Sequence, residues 1–315
     1  MPSNPLLEKD TQASQDRGLP PLTNVSTVGE PTGEELRALE SGLDQLQSDT
    51  VRRHRDWSRA LLPLAAVVVL ILAWQLYVTL GLKRRDLVPG PLDVAASLGE
   101  LWKEGRAQEA VWTSLQRGLL GFAVSALVAT PLGLLLGQVK PLRRAFGPLI
   151  SGLQVLPSVA WVPAAIIWFG LTDATVYFVV LMGAIPSIIN GLIAGIDQIP
   201  PQYRSVGKVL GASRTELALH IVLPAALPGY VAGLKQGWAF SWRSLMAAEI
   251  IAVGGTLGYG LGSLLDQGRT LSDMGVVMSA ILVILAVGIA IELAVFGPLE
   301  RRILARRGLL TGGTR

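Results

Sequence analysis

Six apolar runs follow one another after the first 55 residues, each near the length that crosses a lipid bilayer. A helix needs about 20 predominantly apolar residues for this, and its backbone must satisfy its own hydrogen bonds because the hydrocarbon offers no water. The runs lie at residues 60–82, 111–137, 147–170, 174–196, 225–253 and 274–298. Only 16% of the chain is charged, against about 25% in soluble domains. These features predict an all-α integral membrane protein with six transmembrane helices. Pro131, Pro157, Pro163 and Pro186 fall inside the runs. A proline is tolerated there when neighbouring helices or water satisfy the carbonyl it frees, so these helices sit in a bundle or line a path. Gly183, Ala184, Gly191, Ala194 and Gly195 allow close helix packing in the fourth run.

Charge sets the expected orientation. Placing both termini in the cytoplasm puts fourteen basic residues in inner flanks and loops, among them Arg52, Arg53, Arg143, Arg214 and Arg301. Six fall outside: Lys83, Arg84, Arg85, Lys103, Arg106 and Arg269. The excess favours that placement, although Lys83–Arg85 run against it. The balance of +4 is thereby explained by membrane topology, with no nucleic-acid partner implied. Residues 1–55 are polar and poor in large apolar side chains, the composition of a disordered cytoplasmic tail. Residues 33–47 within it fit one short amphipathic helix, and nothing at the start reads as a signal peptide. Residues 56–308 form the membrane domain and 309–315 a C-terminal tail. The stretch Pro91–Gly105 reads as an amphipathic helix on the outer surface.

The residue inventory excludes most catalysis. There is no cysteine and there are only two histidines, His54 and His220, so neither a thiolate nor a histidine metal site is expected. No G-x-x-x-x-G-K-[ST] phosphate loop is present, and the glycines from Gly254 to Gly262 lack its lysine. No bound cofactor and no ATP hydrolysis by this chain are expected. Charges inside spans are costly and mark candidate function. Lys235, Trp238, Trp242, Met246 and Glu249 share one face of a helix in the fifth run, with Arg243 about 100° round from Trp242. Lys235, Trp238, Trp242, Arg243 and Glu249 are the candidate lining of a path for a small anion. The competing reading is packing, with Lys235 reaching the inner interface and Arg243 paired to Glu249 or Glu292. Arg117 and Asp173 are expected at the outer interface, and Glu292 beside a basic residue.

The longest polar interruption of the second half is residues 197–223. Gly211 permits a backbone bend. Ser213 with Glu216 three residues on forms a capping-box pattern for a new short helix, and Pro224 and Pro228 end it or begin the next. In this stretch Gly211, Ile221, Leu223 and Pro224 keep the spacing of the cytoplasmic EAA loop of ABC-importer permeases, which it resembles. The triplet position reads Ser205-Val206-Gly207, without the family's acidic residue. The fuller run LGAS…IVLPAALPGYVAGLKQGWAFSWRSLMAAEI is similar to the permeases for nitrate, sulfonates and taurine. The resemblance covers residues 61–308 and is strongest over 152–260.

That resemblance implies the type I importer permease fold in the cytoplasmic membrane, with the loop as the contact to a separate ATP-binding subunit. Ser205, Gly207, Gly211, Ala212, Ser213, Ile221, Leu223 and Pro224 would form this contact. It further implies a second permease copy, two ATPase subunits carrying ATP and Mg, and an extracytoplasmic substrate-binding protein. The implied cargo is a small oxyanion: aliphatic sulfonates first, then nitrate or taurine. Spans three to five would form its path. A membrane scaffold without cargo, and a secondary transporter with a paired repeat, are the alternatives from other classes.

Overall fold

The computed structural model describes residues 58–307 apart from 82 and 85, and regular structure among them is helical throughout. The expected tails (1–55 and 309–315) and the short helix at 33–47 lie outside the described residues. One compact unit ends at Val67; Val68–Arg315 form the other, which carries everything that follows. The helices are α1 (Ser58–Thr79), α2 (Pro91–Lys103), α3 (Arg106–Gln138), α4 (Lys140–Val155), α5 (Val162–Phe169), α6 (Asp173–Asp197), α7 (Pro201–Val209), α8 (Arg214–Ile251), α9 (Leu261–Thr270) and α10 (Met274–Arg306). Four of them, α3, α6, α8 and α10, are long and apolar enough to cross a membrane alone. The pair α4 and α5 makes a fifth crossing if it is one span. The apolar stretch of α1, Ala65–Thr79, is shorter.

The expected third span at 147–170 is broken. A 3₁₀ turn at Ser158–Trp161 leads into α5, and the two halves meet at 97°. Pro157 is the cause. It has no N–H to continue the ladder, and it restricts Leu156 to an extended conformation (φ −65°, ψ 124°). The fifth span differs in the opposite sense. The short helix after Ser213 does not stop at Pro224 but runs on into α8 through a π turn at Leu217–Val222. Pro224 lacks the donor for the His220 carbonyl and its ring crowds that carbonyl. The wider turn just before it, in which the Leu223 N–H reaches the Ala218 carbonyl, accommodates both.

Glycines set the helix spacing. Gly191 faces Gly233, and Gly195 faces Gly229, across the contact of α6 with α8, where any Cβ would meet backbone. Descending numbers on α8 against ascending ones on α6 make the pair antiparallel. Gly121, Gly133 and Gly137 of α3 receive Val180, Leu192 and Ile196 of α6, a constant offset that makes those two parallel. Removing Cβ atoms lets backbones approach to dispersion contact, which is what holds helices together when the surroundings are as apolar as the side chains. α6 is the central helix of this core, and Val176, Val180, Ile188 and Leu192 are fully buried along it.

This alternation collects ten basic residues at one end of the bundle. There Arg143 makes a bidentate pair with Asp197 at 2.6 Å, and Arg307 Nη1 donates to the Ala225 carbonyl at 3.0 Å. Lys140, Arg144, Arg204, Lys208, Arg214, Arg301, Arg302 and Arg306 occupy the helix ends and turns around them. The opposite end holds the starts of α3 and α6, the end of α8, and α9. The expected surface helix α2 is present, but Val94 and Leu101 are buried and Ser279 Oγ of α10 donates to the Val94 carbonyl.

Candidate translocation path and coupling surface

At the basic end, α7 and the start of α8 build a rigid hairpin. Gly211 takes φ +81°, the left-handed conformation that a side chain disfavours. The N–H groups of Leu210, Gly211 and Ala212 bond back to Val206, Lys208 and Gly207, closing α7. Ser213 then caps the next turn. Its Oγ accepts from the Glu216 N–H at 3.2 Å, while Glu216 Oε2 accepts from the Ser213 N–H at 2.8 Å. The Ser213 backbone N–H, with the Ser213 hydroxyl second, holds the Glu216 carboxyl below the usual carboxylate range. Gly207 is buried where a Cβ would collide with Leu217 and Ile221 of the π turn. The third position of the triplet is therefore a close contact between α7 and the π turn. Ser205 is exposed and bonds its own helix at Pro201. Leu223 and Pro224 are half-buried at the start of the α-helical part of α8. Tyr203, Val206, Val209, Leu210 and Leu219 are exposed together, an apolar patch on the polar end of the molecule.

The expected stripe on α8 divides into three environments. Trp238 and Trp242 are buried and stacked at 5.9 Å, with Phe122 edge-on to Trp238 and Phe296 beside it. Lys235 Nζ pairs with Glu292 Oε1 at 2.6 Å and with Glu300 Oε2 at 3.5 Å. Glu292 therefore has the basic partner expected of it, and α10 makes a π turn from Glu292 to Phe296 at that place. Glu249 is 1% exposed and lies in a closed network. Its Oε2 accepts from Ser114 Oγ and the Gly262 N–H, and its Oε1 from Arg117 Nη1. A carboxylate so satisfied has no free oxygen to offer a path. Arg117, expected at the interface, is 5% exposed instead and bridges Glu249 to Asp173 at 2.7 Å and the Gly258 carbonyl at 3.2 Å.

Arg243 differs from every other charge within these spans. It is exposed, its Nε donates to the Ala239 carbonyl, its guanidinium lies 4.5 Å from the Phe240 ring centroid, and no carboxylate lies within pairing distance among the described residues. It does not pair with Glu249 or Glu292. It borders a cavity of about 280 Å³ at the broken span, lined also by Gln154, Pro157, Ser158 and Gly183. Polar groups converge near this break: Gln154 accepts from Asn190, and Ser244 Oγ donates to Ser158 Oγ. A second cavity, about 640 Å³, lies on the α10 side of Arg243.

An apolar helical bundle with a broken span, a cation unpaired among the described residues and a capped polar hairpin is the architecture of a membrane-embedded protein. Residues 129–304 match the family described as "Binding-protein-dependent transport system inner membrane component", and the chain belongs to that family. It is an ABC-importer permease of the inner membrane. A putative ABC transporter permease of Methanocaldococcus jannaschii is 31% identical over 57% of this chain and 66% of its own length. The bicarbonate transport system permease of Synechococcus elongatus is 31% identical over 62% of this chain and 73% of its own. The nitrate import permease of Synechocystis sp. is 29% identical over 62% and 74%. The inward-facing MetNI methionine ABC transporter shares the fold, with a TM-score of 0.53 at 18% identity, covering 62% of this chain and 94% of that one.

Proposed function

We propose that this permease carries a small monovalent oxyanion through spans three to five, past Arg243, powered by separate ATPase subunits docked on the α7–α8 hairpin. The observation that carries the reading is Arg243: an exposed guanidinium eight residues inside the end of α8 with no carboxylate partner. A charge held at that depth is expensive unless it meets water, a partner or a ligand. A guanidinium fork matches the two-oxygen edge of a planar oxyanion. Two relatives are named for nitrate and bicarbonate, which share that edge. Nitrate chemistry therefore comes first, and aliphatic sulfonates, of similar charge, and taurine, a zwitterion that carries the same sulfonate group, are the next cargoes to try.

The hairpin supplies the coupling. Its exposed apolar patch sits between Arg204, Lys208 and Arg214, and Ser205, Gly207, Gly211, Ala212, Ser213, Ile221, Leu223 and Pro224 set its shape. An ATPase groove would cover that patch. A second permease copy and an extracytoplasmic binding protein complete the assembly, with this chain itself holding no ATP. The test is uptake of labelled nitrate, bicarbonate, taurine and ethanesulfonate by the complete transporter in proteoliposomes. Arg243→Gln is expected to lower uptake per assembled complex at least tenfold, and Arg243→Lys only a few-fold, because a point charge still attracts the anion. Parental uptake in both variants rejects the path.

A further inference from the structure

The 640 Å³ cavity between α8 and α10 has a chemistry of its own. Its walls are apolar, yet two side chains with unused donors border it. Arg243 is one: its Nε is taken by the Ala239 carbonyl, while its Nη groups find no acceptor among the described residues. The other is the indole Nε1 of Trp242, a buried side chain whose nitrogen finds no partner among the described residues. The indole nitrogen is buried beside Gly288 of α10, 3.4 Å from where a Cβ on that residue would stand. A buried N–H without an acceptor costs free energy comparable to a lost hydrogen bond, so it marks a place where an acceptor is missing. At its other end the same cavity is bounded by Glu292, whose carboxylate occupies Lys235. Lys235 precedes Arg243 by eight residues, about 12 Å along the helix.

We propose that this cavity is a second anion station, where Trp242 Nε1 and Arg243 hold the cargo and Glu292 controls its release. This rests on the oxyanion reading above and extends the route to the α10 side of Arg243. The Glu292 carboxylate is itself a planar two-oxygen anion. It fills the Lys235 site as a resident substitute for the cargo. An arriving anion competes with it for Lys235, and its return expels the anion toward the basic end. The π turn that begins at Glu292 interrupts the regular ladder at the residue that must move, and such turns recur at functional sites. Phe296, at the far end of that turn, packs on Trp238 and Phe122, tying the carboxylate's position to the aromatic cluster under the cavity.

The experiment uses the complete transporter in proteoliposomes with nitrate as the probe. It measures kcat and the half-saturating nitrate concentration, per assembled complex. Trp242→Phe keeps the stacked ring and deletes the donor. It is expected to raise the half-saturating concentration about ten- to a hundredfold with kcat little changed, the usual size for one hydrogen bond to a charged ligand. Glu292→Gln removes the competing anion, so nitrate is retained: kcat and the half-saturating concentration are expected to fall together, by about tenfold each. A structural role for either residue would change the amount of complex and leave both constants alone. Lipid tails filling the cavity would likewise leave the nitrate dependence unaltered. Either result overturns the proposal. If Arg243→Gln impairs uptake while Trp242→Phe and Glu292→Gln match the parent, the second station is wrong and the path at the broken span stands. If the parent takes up no oxyanion, both fall.

Discussion

At the scale of single residues, Glu249 shows how a buried charge is made tolerable. Four groups reach it or its partner Ser114: the guanidinium of Arg117, the Ser114 hydroxyl, the Gly262 N–H, and the Leu261 N–H through Ser114. Gly260 and Gly262 press against its side chain where no Cβ fits. Removing one partner of a buried pair strands the other, which costs about 3–5 kcal/mol. Glu249→Leu is therefore expected to lose most of the folded permease. Glu249→Gln keeps an acceptor for Ser114 and Gly262 and is expected to cost about 1–3 kcal/mol. Thermal unfolding of the purified complex measures both, and equal stability in the two variants would contradict this network. The sequence marked Glu249 as a charge inside a span. It could not show whether that charge was spent inward or offered to a path, because the answer lies on α3, over a hundred residues away. Arg117 and Ser114 share a helix face at i and i+3, but nothing local distinguishes that spacing from an interfacial one. The alternating glycines at 258, 260 and 262 were visible only as a glycine-rich segment. Gly260 and Gly262 wrap the Glu249 carboxylate, and the Gly258 carbonyl accepts from its partner Arg117.

At the scale of elements, the hairpin from α7 into α8 was legible because its signals are local. A left-handed glycine, a capping box and a proline act within a few residues of themselves. Ser213→Ala removes the Glu216 N–H acceptor and is expected to cost the turn about 1 kcal/mol. The expected readout is ATP hydrolysis partly uncoupled from uptake, with assembly intact; full coupling would remove the hairpin from the transmission route. Two proline positions show what a local reading leaves out. Pro157 lay in a run that hydropathy reads as one span, yet a kink and a 97° break look the same to an average over residues. Pro224 was read as ending the short helix or beginning the next; the α-helical part of α8 does begin at Leu223, and a π turn joins it to the short helix without a break. The α6–α8 contact makes the sharper prediction. Gly233→Leu drives a side chain into the Gly191 backbone and is expected to abolish the folded complex. Gly152→Ala on α4, with nothing within 4 Å of the new Cβ, is expected to be neutral or to stabilise by about 0.5–1 kcal/mol. Membrane abundance of the two variants decides whether small residues here serve packing.

At the scale of the whole molecule, the open quantity is how many times the chain crosses the membrane and which end faces inward. The parallel α3–α6 pair requires an odd number of crossings between the two helices, which the broken α4–α5 segment supplies if it traverses, and the antiparallel α6–α8 pair requires none. The ten basic residues gathered at one end predict a cytoplasmic position for that end. The sixth crossing rests on α1. The chain has no cysteine, so a single introduced thiol reports its side of the membrane without background. Ser205 on α7 and Thr270 at the end of α9 are both exposed and lie at opposite ends of the bundle. Ser205→Cys is expected to react with a membrane-impermeant maleimide only after the cells are opened, and Thr270→Cys in intact cells. A third thiol, Ser26→Cys, reads α1. If α1 crosses, position 26 labels with position 205, and the six-span topology with both termini inside stands. If α1 does not cross, position 26 labels with position 270, because the start of α3 lies at that end. Reversed labelling of positions 205 and 270 would invert the orientation and move the exposed apolar patch of the hairpin away from any cytoplasmic ATPase, removing the physical basis for coupling through it.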